Sequence, residues 1–299
     1  MRWKKLGRVL EAPSHLPWAR THAALPIATP LDGGRAQVYF SSRDEMGRAQ
    51  IGRATLDLDA PGAAPDFEPE PLVRLGRSNR FDESGVTVGC LVADKDRLYL
   101  YYSGWSLPPD VPFLFYIGCA VSTDGGKSFE KVSDQPVLGR SRLDPYVTAS
   151  PSILIEGGLW RMWYVSGTGW DGKEPNYNIK YAESTDGIDW RPAGHTCIDY
   201  SYPGEHAIAR PHVMKDGALY RMWFCHRGDA YRIGYAESRN GISWTRMDGE
   251  AGITVSAEGW DSEMVAYPWV GDIGGRRRML YNGNSYGRTG IGEAILEAG

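Results

Sequence analysis

Apolar and polar positions alternate with a period of two along most of this chain, the signature of strands, and no window carries a convincing helical period. In 179–190, IKYAESTDGIDW, the alternation runs through Ile179–Ser184, Asp186-Gly187 supplies the positive φ of a tight hairpin turn, and Trp190 opens a second strand. The same sentence returns at 233–244 as IGYAESRNGISW, with Asn240-Gly241 at the turn and Trp244 after it. The tag that opens it recurs at Ile51, Ile117, Ile179, Ile233 and Ile291. Before each tag lies an aromatic-rich strand, carrying Tyr39, Tyr101, Trp163, Trp223 and Leu280 in one register. Before that strand lies another with a proline near its middle, as in HAALPIA, TASPSILI, AIARPHVM and MVAYPWV; the second copy has Gly89 there.

Each unit therefore reads as strand, turn, strand, loop, strand, Asp-Gly turn, strand. Five such units predict an all-β chain, a five-bladed β-propeller with four antiparallel strands per blade. The fifth unit lacks its last strand after Ile291, and RWKKLGRV (2–9) resembles the outer strands FEKVSD and WRPAG. The N-terminal strand is thus expected to complete the last blade and close the ring. One domain, 1–299, would hold blades at roughly 19–59, 80–134, 144–194, 205–248 and 260–297 plus 1–10. The proline- and acid-rich 56–79 reads as a surface connection between the first two blades.

Composition suits this picture: 11 tryptophans, 17 tyrosines and 37 glycines belong to a repetitive sheet protein rather than a helical one. The net charge of −4, with acids and bases interspersed, shows no footprint for nucleic acid or an anionic membrane. No apolar run suggests a signal peptide or a membrane span, so a cytoplasmic protein is expected. Cys90, Cys119, Cys197 and Cys225 lack metal-like spacing and read as buried free thiols. No metal or cofactor is expected, and oligomeric state is left open.

A propeller gathers function where its inner strands begin and where the loops between its second and third strands emerge. The inner strands begin near Arg20 and His22, Asp82 and Glu83, Asp144 and Tyr146, Glu205 and His206, Asp261 and Glu263. The matching loops carry Arg43 and Asp44; Trp105; Trp170 and Glu174; His226, Arg227 and Asp229; Asn284, Tyr286 and Arg288. With Arg210 and Tyr267 beside the inner-strand prolines, these residues would suit a small carbohydrate or activated sugar. Carboxylates and arginines hydrogen-bond hydroxyls or anions, and indoles offer flat faces to sugar C–H groups.

The chain resembles the five-bladed propeller glycosidases, the superfamily of glycoside hydrolase families 43, 32, 68 and 130, through its strands LYRMWF and LWRMWYVSG and its hairpin YAESTDGIDW. The resemblance spans essentially the whole chain and implies carboxylates at the inner ends of different blades. Glu83, Glu205 and Glu263 occupy matching positions, with Asp82, Asp144 and Asp261 beside them. It also implies an aspartate on the first inner strand, where this chain has Thr21-His22; Asp44 stands in the neighbouring loop. A phosphorolytic reaction of the family-130 kind would need one acid and cationic phosphate ligands, for which Arg43, Arg210, His226 and Arg227 are candidates. STDGGKSF (122–129) matches the Asp-box of sialidases, a turn device, but five units argue against their six blades.

The expected function is therefore a glycoside hydrolase-like enzyme acting on a glycosidic bond. Its alternatives are a catalytically silent glycan- or protein-binding propeller, or a sugar phosphorylase or transferase using the same pocket. Counting back from the proline landmarks places Glu83, Glu205 and Glu263 around one central pocket. Arg43, Arg210 and His226 would stand on its wall, and crowding would raise the pKa of at least one acid.

Overall fold

The computed structural model describes residues 1–60 and 62–297. Pro61, within the expected connection, and Ala298-Gly299, at the end of the expected domain, lie outside those residues. The strands form modules in chain order. The first is Thr21–Pro30, Arg35–Arg43, Ala49–Asp57 and Asp66–Phe67; the second is Gly85–Asp94, Arg97–Ser106, Leu114–Ser122 and Glu130–Lys131. The third is Thr148–Glu156, Leu159–Asp171, Glu174–Ser184 and Arg191–Ile198; the fourth is Ala207–Asp216, Leu219–Arg227, Tyr231–Ser238 and Thr245–Arg246. In the last, Ala266–Ile273, Arg276–Asn282 and Ile291–Leu296 are joined by the N-terminal strand Trp3–Leu10, antiparallel, with Trp3 opposite Leu296 and Leu10 opposite Ile291. The first module draws its outermost strand, Asp66–Phe67, from the segment expected to be a bare connection. Phe67 explains why, since it packs on the buried core ring Phe40.

The first strands of the modules touch in a cycle: Thr21–Pro30 on Gly85–Asp94, that on Thr148–Glu156, then Ala207–Asp216, then Ala266–Ile273, and back to Thr21–Pro30. Each carries a β-bulge at its proline or Gly89, where pairing with the second strand slips between Ala24 and Ile27, Val88 and Cys90, Ala149 and Ser152, Ala209 and His212, and Ala266 and Trp269. Proline cannot donate to a ladder, so a bulge is where a strand interior tolerates it. The backbone N–H exposed there is taken by the preceding module. Ser41 Oγ accepts from Val88 N at 2.8 Å and Ser103 Oγ from Ser150 N at 2.8 Å. Cys225 Sγ accepts from Tyr267 N at 2.9 Å, and Asn282 Oδ1 from Leu25 N at 2.8 Å, linking last module to first.

The repeated hairpin is a docking plate. In one copy Ser184 Oγ accepts from Gly187 N and Asp186 from Ile188 N; in the other Ser238 accepts from Gly241 N and Asn240 from Ile242 N. The Asp-box turn uses Ser122 and Asp124 in the same way. Gly187 has a φ of 76°, and a Cβ there would stand 2.8 Å from the Trp160 ring. Its carbonyl receives the hydroxyl of Tyr101 from the preceding module, and Gly241 receives the indole N–H of Trp163 at 2.7 Å. The hairpin therefore repeats because each module must present the same surface to its neighbour.

All four cysteines are free, and burial pushes the thiols of Cys90, Cys197 and Cys225 up to about 12. His212 donates from Nε2 to the Val270 carbonyl at 2.7 Å, joining two modules. Burial pulls this histidine down to about 4. Above pH 6.5 it is neutral folded and unfolded, and its stabilising effect is fully present. Below 6.5 the unfolded chain takes up a proton that the folded one refuses, so stability falls until about pH 4. A loss of about 1–3 kcal/mol is expected across this window. His212→Gln should flatten the pH dependence of the melting temperature there; an unchanged slope would exclude His212 as a source.

Candidate functional site

A cavity of about 510 Å³ opens where the inner strands converge. One wall is aromatic: Trp105 and Phe115 have ring centres 6.3 Å apart, and Phe113 stands edge-on to Phe115 at 4.9 Å. The same cavity is lined by the phenols of Tyr177, Tyr231, Tyr267 and Tyr286, with the hydroxyls of Tyr177 and Tyr231 3.0 Å apart. Burial raises the pKa of Tyr177, Tyr231 and Tyr267, so they present neutral hydroxyls.

Six of the nine non-glycine residues with positive φ among the described residues line this cavity: His22, Leu25, Ser150, Arg210, Tyr267 and Tyr286, between 46° and 64°. Leu25, Ser150, Arg210 and Tyr267 each stand immediately before the proline of an inner strand, where a left-handed conformation is doubly disfavoured. The bulge turns this one residue per strand toward the cavity. Strain of this kind gathers at ligand-binding and active sites, which makes this cavity the candidate site.

The charges are lopsided. Arg43, Lys173, Arg210 and Arg227 line the cavity, while Glu174 is the only carboxylate on its wall among the described residues. Arg227 holds Glu174 at 2.6 Å and donates to the Tyr286 hydroxyl at 3.0 Å. Arg210, 3% exposed, donates to the carbonyls of Val88 and Gly89 at 2.7 and 2.8 Å and to those of Leu25 and Pro26 at 3.3 Å. Burial pulls it down to about 10, so it is a cation at neutral pH. Burial, with Arg43 and Arg288 nearby, pulls His22 down to about 4 and keeps it neutral.

Of the residues expected from the sequence, the cavity gathers His22, Arg43, Trp105, Glu174, Arg210, Arg227, Tyr267 and Tyr286. Glu83, Glu205 and Glu263 are not on its wall. They lie in turns before strands that begin only at Gly85, Ala207 and Ala266. Glu83 accepts from Asn79 N at 2.6 Å within its turn, and Glu263 is exposed. Glu205 is buried against Arg246 at 2.6 Å and His226 at 3.1 Å. Burial would raise its pKa, but Arg246 and the Ser201 N–H more than offset that and hold it low.

The aspartates beside them have the same occupation. Asp82 accepts from Tyr102 and Lys131, Asp144 from Tyr164 and Ser166, and Asp261 from Tyr281 and Lys5. Each of these carboxylates bonds side chains of its own module and ties it together. Asp44 closes a turn by accepting from Met46 N and from Arg48; Asn284 accepts from Glu263 N at 2.8 Å; His206 bonds the Gly204 carbonyl. Trp170 stands behind the wall, 5.1 Å from Phe113. His226 serves Glu205 rather than the cavity. Glu205→Gln is accordingly expected to cost about 3 kcal/mol, the loss of a buried pair, while Glu83→Gln and Glu263→Gln stay within about 0.5 kcal/mol. Equal melting temperatures for all three would contradict this.

Sequence reasoning passed over Leu25, Ser150, Phe113, Phe115, Lys173, Tyr177 and Tyr231. The prolines could have found the first two, since each marks the residue before it. Among the described residues no cluster of His, Cys, Asp or Glu could hold a metal ion, and no helix is long and apolar enough to cross a membrane.

No protein-family model matches the chain. It is 42% identical over 299 residues to the uncharacterized protein Rv1502 of Mycobacterium tuberculosis (strain H37Rv), covering 99% of this chain and 100% of that one. The chain belongs to the Rv1502 family. The uncharacterized protein MT1551 of strain CDC 1551 matches to the same extent. Among solved structures, the Rv1502-type chain superposes on a glycoside hydrolase with a TM-score of 0.75 and 16% identity, over 99% of this chain and 92% of that one. A thermostable family-43 glycoside hydrolase gives 0.70 and 16%, over 97% and 94%. The Bombyx mori GH32 β-fructofuranosidase BmSUC1 gives 0.67 and 15%, over 99% of this chain and 62% of that one. These likenesses show the fold alone, an all-β propeller fold like that of these glycoside hydrolases.

Proposed function

We propose that this Rv1502-family chain is a carbohydrate-active enzyme of glycoside hydrolase-like type, a single five-bladed propeller whose cavity takes a small sugar. The cyclic contacts of the inner strands and the pairing of Trp3–Leu10 with Ile291–Leu296 support five blades in a closed ring. The observation that carries the functional reading is the convergence of four strained pre-proline residues on a cavity lined by aromatic rings and tyrosine hydroxyls. Trp105 and Phe115 offer faces to a sugar ring, and the tyrosine hydroxyls and Ser150 offer partners to its hydroxyls.

Cleavage of a glycosidic bond between two carboxylates requires one as acid and one as base or nucleophile. Here we assign Glu174, rather than Glu83, Glu205 or Glu263, to the reacting bond. Paired with Arg227, it would take the proton of an attacking hydroxyl, while a neutral tyrosine hydroxyl of the wall, Tyr177 or Tyr231, would give one to the departing oxygen. The same ion pair and the lack of a second wall carboxylate among the described residues favour one other reading, a cavity that binds a glycan without cleaving it.

A panel of glycosides and sugar 1-phosphates, incubated with and without inorganic phosphate or acceptor sugars, separates them. The enzyme reading expects turnover that falls at least about 100-fold in Glu174→Gln, in line with the roughly 10²–10⁴-fold worth of a positioned base. Saturable sugar binding without turnover, unchanged in Glu174→Gln, would establish the silent reading. Binding of no sugar would sink both.

A further inference from the structure

We propose that the ligand of this cavity carries an anionic group, a phosphate or a carboxylate, which binds at Arg43 in the cavity that the buried guanidinium of Arg210 also lines. The proposal rests on the sugar reading above and adds the substrate class. A chain with a net charge of −4 has placed four cationic side chains around one cavity and, among the described residues, a single carboxylate with them. Arg227 and Glu174 neutralise each other. Arg210 has its donors occupied by four backbone carbonyls, which hold it in place without cancelling its charge. It makes no ion pair with any carboxylate among the described residues.

Arg43 ends the strand Arg35–Arg43 with its side chain exposed toward the cavity and, among the described residues, no hydrogen bond or ion pair. The neutral phenol of Tyr267 lines the same cavity as Arg43 and Arg210. His22, neutral beside Arg43, can receive a hydrogen bond without adding charge. A buried, fixed cation and a free guanidinium fork on the lining of one cavity form a site that a neutral sugar leaves uncompensated. A guanidinium fork matches the two oxygens of a carboxylate or phosphate, which gives the anion both charge and geometry.

The test is titration, by calorimetry at low ionic strength, with matched sets of glucose, galactose and mannose, their uronates and their 6-phosphates, and with inorganic phosphate alone. Charged forms are expected to bind at least about tenfold more tightly than their neutral parents, with the advantage shrinking as salt is raised. Arg43→Gln should remove that advantage and leave neutral-sugar binding in place, while Arg43→Lys should keep the part of the advantage due to charge and lose the part due to the fork. A preference for uronates over phosphates, or the reverse, identifies the anion's source. Neutral sugars binding as tightly as charged ones, or an advantage that survives Arg43→Gln, overturns the proposal while the sugar reading stands. Binding of inorganic phosphate without any sugar keeps the anion site and overturns the sugar reading. Binding of nothing overturns both.

Discussion

Removal of residues 1–10 is expected to lower the melting temperature by more than about 10 °C, or to leave no cooperative transition at all. Three losses coincide. The strand Ile291–Leu296 loses its partner from Trp3–Leu10 and becomes an open edge. Trp3, 6% exposed, leaves its edge-on contact with Trp223 at 6.3 Å, and losing a buried tryptophan costs about 3–5 kcal/mol. Lys5 leaves Asp261, which is buried and paired at 2.6 Å, and an uncompensated buried charge costs about 3–5 kcal/mol. These terms overlap, yet their sum, about 6–10 kcal/mol, is of the same order as the roughly 5–15 kcal/mol by which a whole domain is stable. Lys5→Met isolates the ion-pair part and should cost about 3 kcal/mol with the strand in place. Calorimetry of the truncated chain decides it: a melting temperature within about 2 °C of the full chain means the N-terminal strand does not hold the last module.

That N-terminal strand is legible in the sequence because strand patterns are local. RWKKLGRV resembles other outer strands, and the module lacking one is the last. The hairpin copies are legible for the same reason: Ser184, Asp186 and Gly187 make their turn among themselves. The wall of the cavity is less so. Counting back from the prolines assumes that strand positions with equal offsets face the axis equally. The bulge breaks that assumption, since a single extra residue turns Arg210 and Tyr267 inward while Glu205 and Asp261 face their own modules. As alignment marks the prolines give only the register, whereas their chemistry names the residue that matters. Asp82 and Asp144 cannot be told from catalytic acids by sequence, because their partners Lys131 and Lys180 lie 49 and 36 residues away.

Arg210 joins the fold to the site, and Arg210→Met is expected to damage both. Methionine matches the stem of arginine and keeps the packing, but it leaves the carbonyls of Val88, Gly89, Leu25 and Pro26 without their donor. A buried polar group stripped of its partner costs about 1–3 kcal/mol, and these four belong to two other inner strands. A loss of about 3–5 kcal/mol is therefore expected, with the cost shared between modules rather than confined to one. Arg210→Lys should recover part of it, because three donors on one nitrogen cannot span four carbonyls as a planar fork does. Arg43→Gln provides the contrast: its side chain is exposed, so the melting temperature should hold within about 2 °C while charged-ligand binding is lost. The two arginines thus separate what holds the cavity open from what meets the ligand. Equal stability of Arg210→Met and the parent chain would show that the inner strands converge without this guanidinium.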